Sequence, residues 1–194
     1  MRHNNQRMNL LKRAILSAVL IATTACTASD VYRDPNMDFG SIYTVAVMPL
    51  TNLSKDQLAA DRVRDVCMTL LLSTGAVYVI APGEVAKQIT AAGVMYPVTP
   101  TIDEIVKLGK LLKVDAVITG VIREYGELRS GSAAGNVLSL SMQMVEVQTG
   151  KVIYTVSSTR GGVSFMDRLF GGGGEPMNVV TEKAVRDVIN KLFK

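Results

Sequence analysis

Residues 138–158, LSLSMQMVEVQTGKVIYTVSS, decide the fold class. Leu138, Leu140, Met142 and Met144 alternate with Ser139, Ser141 and Gln143. Successive side chains leave a strand on opposite faces, so this period of two predicts a β-strand with one buried face and one wet face. Gln148-Thr149-Gly150-Lys151 then reads as a turn, and residues 152–158 return as the second strand of a hairpin. The alternation lapses over residues 145–147, where a bulge is expected.

The pattern changes on moving outward from this hairpin. Residues 44–48 (TVAVM), closed by Pro49, read as a buried strand. Over residues 55–74, Leu58, Ala59, Val63, Val66, Leu70 and Leu71 recur at helical spacing, and Gly75 ends that helix. Residues 77–80 read as a second short strand. Pro82 opens a helix over residues 83–92 that stops at Gly93, and Thr101-x-x-Glu104 is a capping box for a helix running to about Leu112. Residues 116–122 form a third strand, continuing towards Tyr125. Downstream, Pro176 introduces a helix over residues 177–193 with Val180, Ala184, Val188 and Leu192 on one face. The Gly-bearing stretch 161–174 reads as a loop. The order predicts an α/β (α+β) domain: a mixed β-sheet of about five strands flanked by about four helices.

The N-terminus carries a different signal. Arg2, Arg7, Lys12 and Arg13 stand among residues 1–13 without an acidic residue, and residues 14–24 are apolar. An apolar run of about a dozen residues is the length of an export-signal core, short of the roughly 20 that a spanning helix needs. Thr23-Thr24-Ala25-Cys26 resembles a lipobox, with Thr23 in the place where Leu is commonest. The reading is a lipoprotein signal over residues 1–25, with Cys26 as the lipidated first residue of the mature chain. A start at Met8 would give a signal of more ordinary length. Residues 26–40 are polar and aperiodic and read as a lipidated tether, leaving residues 41–194 as one folded domain.

Removing the signal changes the charge argument. Four of the 21 basic residues lie in it, leaving 17 against 17 acidic residues, so no basic footprint for nucleic acid remains. The single histidine, His3, leaves with it. A mature chain without His has no Ser-His or Cys-His pair and no imidazole ligand, so no cofactor, no metal site and no enzymatic activity are expected. Cys67 sits at an apolar helical position, where a thiol is inert. The carboxylates Asp61/Asp65, Asp103/Glu104 and Glu124/Glu127 read as solvated positions.

Several segments together carry a resemblance. VAVMPLTNLS, the helix after it, VYVIAPGEVAKQI, DAVITGVI and VEVQTGKVIY follow one another as in the CsgG/TolB-N-terminal-like superfamily of bacterial envelope lipoproteins. The likeness covers roughly residues 45–193. The superfamily holds CsgG, PelC and LpoB relatives, which act as transport components, scaffolds or activators of cell-wall synthases, several of them ring-forming. The resemblance therefore implies a non-catalytic outer-membrane lipoprotein on the periplasmic face, in envelope assembly or in curli-like or polysaccharide secretion. Its partners would be copies of itself or another envelope protein. A regulator of a peptidoglycan synthase is the alternative. Thr27, in place of the Asp that retains lipoproteins at the inner membrane, agrees with the outer one. CsgG inserts long membrane-spanning hairpins, and neither 129–136 nor 161–174 is long enough to supply them. Phe165, Met166, Leu169 and Phe170 form an apolar cluster amid glycines, and such clusters mark partner or membrane contacts. The Gly171–Gly174 run lacks the G-x-x-x-x-G-K-[ST] pattern of a phosphate cradle.

Overall fold

The strand read from the alternation lies within the longest pairing of the molecule. The computed structural model describes residues 31–130, 133–162 and 174–193. Its strands are β1 (Val31–Arg33), β2 (Thr44–Val47), β3 (Thr51–Asn52), β4 (Tyr78–Val79), β5 (Ala116–Ser130), β6 (Ala133–Glu146) and β7 (Val152–Gly161). Its helices are α1 (Ala59–Ser73), α2 (Pro82–Ala92), α3 (Ile102–Leu112) and α4 (Met177–Leu192). The seven strands form one mixed sheet in the order β1-β7-β6-β5-β2-β4, with β3 alongside β5. The expected α+β class and helix number hold. Two strands are additional: β1, and β3 at only two residues.

Both faces of the sheet are covered at the end where β2 lies. Ile118 and Met144 face one side, with Val45, Val47, Leu140 and Met142, and pack under α1 and α4. Val117 and Val145, one residue along, face the other side with Ala46 and Met48, under α2 and α3. The near-continuous apolar runs of β2 and early β5 follow from burial on both faces, as in parallel sheets. β6 alternates because only part of its second face is covered.

Close approach on the α3 side needs Gly109. A Cβ added there would stand 2.2 Å from Val147 Cγ2, so only a bare α-carbon lets the helix sit down on β6. The Thr101–Glu104 capping box is present in both directions, with the Glu104 amide donating to Thr101 Oγ1 at 3.3 Å and the Thr101 amide to Glu104 Oε2 at 2.8 Å. Gly93 ends α2 in the left-handed conformation, φ 70°.

Four local readings need correction. The third strand does not end near Tyr125: the β5–β6 ladder runs from Ala116↔Glu146 out to Ser130↔Ala133. Ala, Gly and Ser carry no hydrophobic period, and pairing to a neighbour makes the strand where side-chain pattern does not. Residues 31–40 are not a bare tether, because β1 pairs with β7 (Val31↔Val156, Arg33↔Tyr154) and the Arg33 guanidinium lies 4.2 Å over the Phe39 ring. The first helix starts at Ala59 rather than Lys55. Asn52 Oδ1 accepts from the Ser54 amide at 3.0 Å and Asp56 Oδ1 from the Leu58 amide at 2.9 Å, and these side-chain turns compete with helix over residues 52–58. The irregularity expected at 145–147 does occur, between Met144↔Tyr154 and Val145↔Val152, but the extra residue is Ile153 on β7. A second bulge, with Arg123 as the extra residue of β5, separates Ile122↔Leu140 from Glu124↔Ser139.

Leu140 is 1% exposed under α1 and α4, whereas Ser141 points to the opposite face and is half-buried. Leu140→Ala should therefore cost about 2–5 kcal/mol, and Ser141→Ala little; equal shifts in melting temperature for the two would contradict this facing. Gly109→Ala should cost about 1–3 kcal/mol through overpacking. Adding Val147→Ala should restore most of that loss in a double-mutant comparison of denaturant midpoints, and a second substitution that adds its own full penalty instead would place the clash elsewhere.

Candidate functional site

The two features singled out in the sequence, Cys26 and the cluster Phe165, Met166, Leu169 and Phe170, lie outside the described residues. The structure does place what flanks them. β1 runs antiparallel to β7, so the chain before Val31 leads towards the Gly161 end of β7. At that same end the Gly162 amide donates to Asn136 O at 2.7 Å, the Gly174 amide to Ala134 O at 3.1 Å, and Asn136 Nδ2 to Glu175 O at 2.8 Å. The outer rungs of the β5–β6 ladder and both ends of segment 163–173 are thus gathered at one end of the sheet, and Val31, the first described residue, lies beside Val156, midway along β7.

This end is built on glycine. Gly161 has φ 84°, and a Cβ there would lie 2.0 Å from Asn136 O; Gly162 has φ 96°. The Arg160-Gly161-Gly162 step lets β7 turn away tightly against β6, which no side chain would permit. Behind it, Asp187 of α4 fastens the helix to β7. It accepts from Arg160 at 2.7 Å, Lys191 at 2.6 Å and Ser158 Oγ at 2.8 Å. Tyr154 donates its hydroxyl to Val188 O at 2.9 Å, and burial together with the charge of Asp187 pushes that phenol above its ordinary range.

Beside the hairpin lies a wide hollow of ≈ 570 Å³ between the β3–α1 turn and the overhanging part of β5. Leu53 and Leu128, both largely exposed, flank it, with Lys55, Asp56, Arg123, Glu124 and Glu127 around the rim. Apolar residues ringed by charges are the layout of a protein contact surface.

Nothing in the described residues assembles catalytic chemistry. Cys67 is 1% exposed, and burial pushes its thiol up to about 12, so it stays protonated and inert. Glu104 is spent on the capping box, and Glu127 pairs with Arg129 at 2.5 Å. Among the described residues no group of three acidic, Cys or His side chains is placed to hold a metal ion, and no helix is long and apolar enough to cross a membrane.

No family model and no curated protein matches this sequence. Solved structures do match, at low identity. The PelC dodecamer of Paraburkholderia phytofirmans superposes with a TM-score of 0.58 at 12% identity, over 85% of this chain and 96% of that one. The lipoprotein GNA1162 of Neisseria meningitidis gives 0.55 at 19% identity, over 78% and 98%. The hypothetical protein CT253 of Chlamydia trachomatis gives 0.50 at 15% identity, over 78% and 96%. The fold is that of these proteins, one of them a lipoprotein. The resemblance read from the ordered motifs therefore holds at the level of fold.

The sequence reading missed the hairpin overhang and its hollow. Gly126 (φ 137°) inside β5 was the available signal, since an isolated glycine in a strand marks a local irregularity. Two carboxylates at these junctions set an acid limit. Burial pushes Asp187 up, but the Lys191, Ser158 and Arg160 hydrogen bonds outweigh it and hold the carboxyl below its ordinary range. Asp115 behaves alike: burial is outweighed by the Thr44 and Tyr43 amides and the Thr44 hydroxyl. A lowered folded-state pKa stabilises fully above the ordinary value, about 3.9, and that contribution is lost as pH falls through the folded-state value. Melting temperature should hold from neutrality down to about pH 4 and decline below it. Asp187→Asn and Asp115→Asn should flatten the decline while lowering the neutral plateau, and an unchanged acid slope in both would show that other groups set it.

Proposed function

We propose that this chain is an outer-membrane lipoprotein, anchored through a lipid on Cys26, whose periplasmic domain is a non-catalytic scaffold or accessory component of envelope assembly or export, of the curli-like or polysaccharide-secretion kind. The observation that carries this reading is the convergence at the hairpin end of the sheet. Val31 stands five residues after Cys26, and five extended residues reach about 17 Å. A lipid on Cys26 therefore keeps the Gly161 end of β7 near the bilayer, beside the segment that carries Phe165, Met166, Leu169 and Phe170. Lipid and apolar loop would act together as the two signals that stable anchoring takes.

The shared fold supports the assembly half of the proposal, since the PelC structure is a dodecamer. The hollow beside Leu53 and Leu128 is the surface we assign to a neighbouring copy or an envelope protein. A head-to-tail contact of this kind closes into a ring when its rotation permits.

Cys26→Ser should abolish lipidation and leave an unprocessed or soluble species. If that variant still partitions fully with membranes after a high-salt wash, the anchor is elsewhere. Replacing Phe165, Leu169 and Phe170 together with Ser should leave the melting temperature nearly unchanged and reduce membrane association or assembly of the unlipidated chain, because apolar contact area worth roughly 25 cal/mol per Å² is removed. A large fall in melting temperature would instead assign the cluster to the core. The mass of the full chain in mild detergent tests self-association: a ring of many copies supports export scaffolding, and a monomer points to the regulator of a cell-wall synthase.

A further inference from the structure

The second face of the sheet changes character along its length. At the covered end its rungs are apolar: Val117 and Val145 lie under α3. One rung further it reads Thr119, Gln143, Thr155, and the next reads Val121, Ser141, Ser157, each aligned across β5, β6 and β7. A third rung sets Ser139 beside Glu124 and Thr159, with Thr159 donating to Ser139 Oγ at 3.0 Å. Neither α2 nor α3 reaches these rungs. A face kept merely for water is ordinarily filled with long charged side chains, and two of these three rungs hold none. Their small hydroxyls leave the strands recessed, and the result is a hollow of ≈ 220 Å³.

One wall of the hollow is the turn that carries Val98, Thr99 and Pro100. Thr51 of β3 pins it by donating its hydroxyl to Val98 O at 2.8 Å. The same turn exposes the Tyr96 ring, closed by the Thr99 amide on Tyr96 O at 3.0 Å. The lining sets hydroxyls and the Gln143 amide among a larger apolar area from Val98, Pro100, Gly120, Val121 and Met142. No Lys, Arg, Asp or Glu lines it. Arg123 is the nearest cation, and it is turned to Ser141 Oγ at 3.3 Å.

We propose that this hollow is a glycan-binding site taking one ring unit of an uncharged or weakly charged polysaccharide chain. A pyranose presents hydroxyl edges and aliphatic C–H faces together, which is the pairing the floor and walls offer. A second protein chain fits less well, because the centre of a protein interface is apolar and aromatic rather than lined by small hydroxyls. A cationic ligand would find no counter-charge, and an anionic one would find only Arg123 at the edge, already turned to Ser141. The site goes beyond the anchoring and assembly reading, and it draws on that reading only for an envelope location, where glycan chains are present. Two sources share the chemistry: the glycan strands of the cell wall, and an exported polysaccharide.

The test is calorimetric titration of the full chain in detergent with two probes, a linear N-acetylglucosamine pentamer and enzymatically released peptidoglycan glycan strands stripped of peptide. Binding of the strands but not the pentamer assigns the cell wall; binding of the pentamer, with or without the strands, assigns a site open to exported polymers. In either case Ser141→Lys and Thr155→Lys, which fill the floor from two different strands, should each weaken binding at least tenfold with the melting temperature kept. Gln143→Ala should weaken it severalfold, and raising the salt from 50 to 500 mM should change affinity less than twofold. Absence of binding by both probes at millimolar concentration overturns the proposal, as does binding that survives both lysine variants. Dissociation of an oligomer by either lysine variant would also overturn it and make this face a contact between copies. Loss of anchoring in Cys26→Ser bears on the membrane reading alone, since the hollow does not depend on the lipid.

Discussion

Everything in this molecule hangs on the antiparallel ladder between β5 and β6. It extends from Ala116↔Glu146 to Ser130↔Ala133, and the other elements attach to it in turn. β2 and β3 add in parallel along the outer edge of β5, β7 adds antiparallel to β6, and four helices cover what the strands present. Because side chains alternate, this one register decides which residues meet α1 and α4 and which meet α2 and α3. A slip of one residue would exchange the two sets. The bulges at Arg123 and Ile153 adjust the register locally.

The ladder is longer than the core that supports it. Where both faces are covered, Val117 and Ile118 are buried on opposite sides of adjacent positions. Beyond the Arg123 bulge the strands run on with Glu124, Glu127, Leu128 and Arg129 open to solvent or only partly covered. The β6 side of this stretch stays packed, with Leu138 in the core and Val137 and Ala133 buried, while Asn136 Nδ2 and the Gly174 and Gly162 amides tie it to the chain on either side of segment 163–173.

Among the described residues, the reactive groups singled out in the sequence are taken up by the fold itself. Cys67 is sealed in the core, and the carboxylates that are buried in part, Asp115 and Asp187, are occupied in fastening β2 to β5 and α4 to β7. What stays available differs by region: the hairpin end of the sheet, a charged-rimmed hollow flanked by Leu53 and Leu128, and a neutral hydroxyl-lined hollow on the uncovered sheet face.

The sequence by itself determined the helices, the central strands and the resemblance to envelope lipoproteins. Those follow from local physics: the Thr101–Glu104 box, the left-handed Gly93 and the Leu138–Met144 alternation act within a few residues, and their order along the chain records the fold. The run resembling a lipobox before Cys26 is likewise a local signal, read without any fold. Only the tertiary structure decided that residues 31–33 are a strand, that β5 and β6 stay paired as far as Ser130↔Ala133, and that Thr119, Gln143 and Thr155 form one rung. Each of these depends on backbone hydrogen bonds to residues far away in the chain, and such pairing leaves no period in Ala, Gly and Ser side chains. Ser139, Ser141 and Gln143 were legible as a face turned from the core. That β5 and β7 would extend it with hydroxyls, and that α2 and α3 would stop short of covering it, was settled by register and packing.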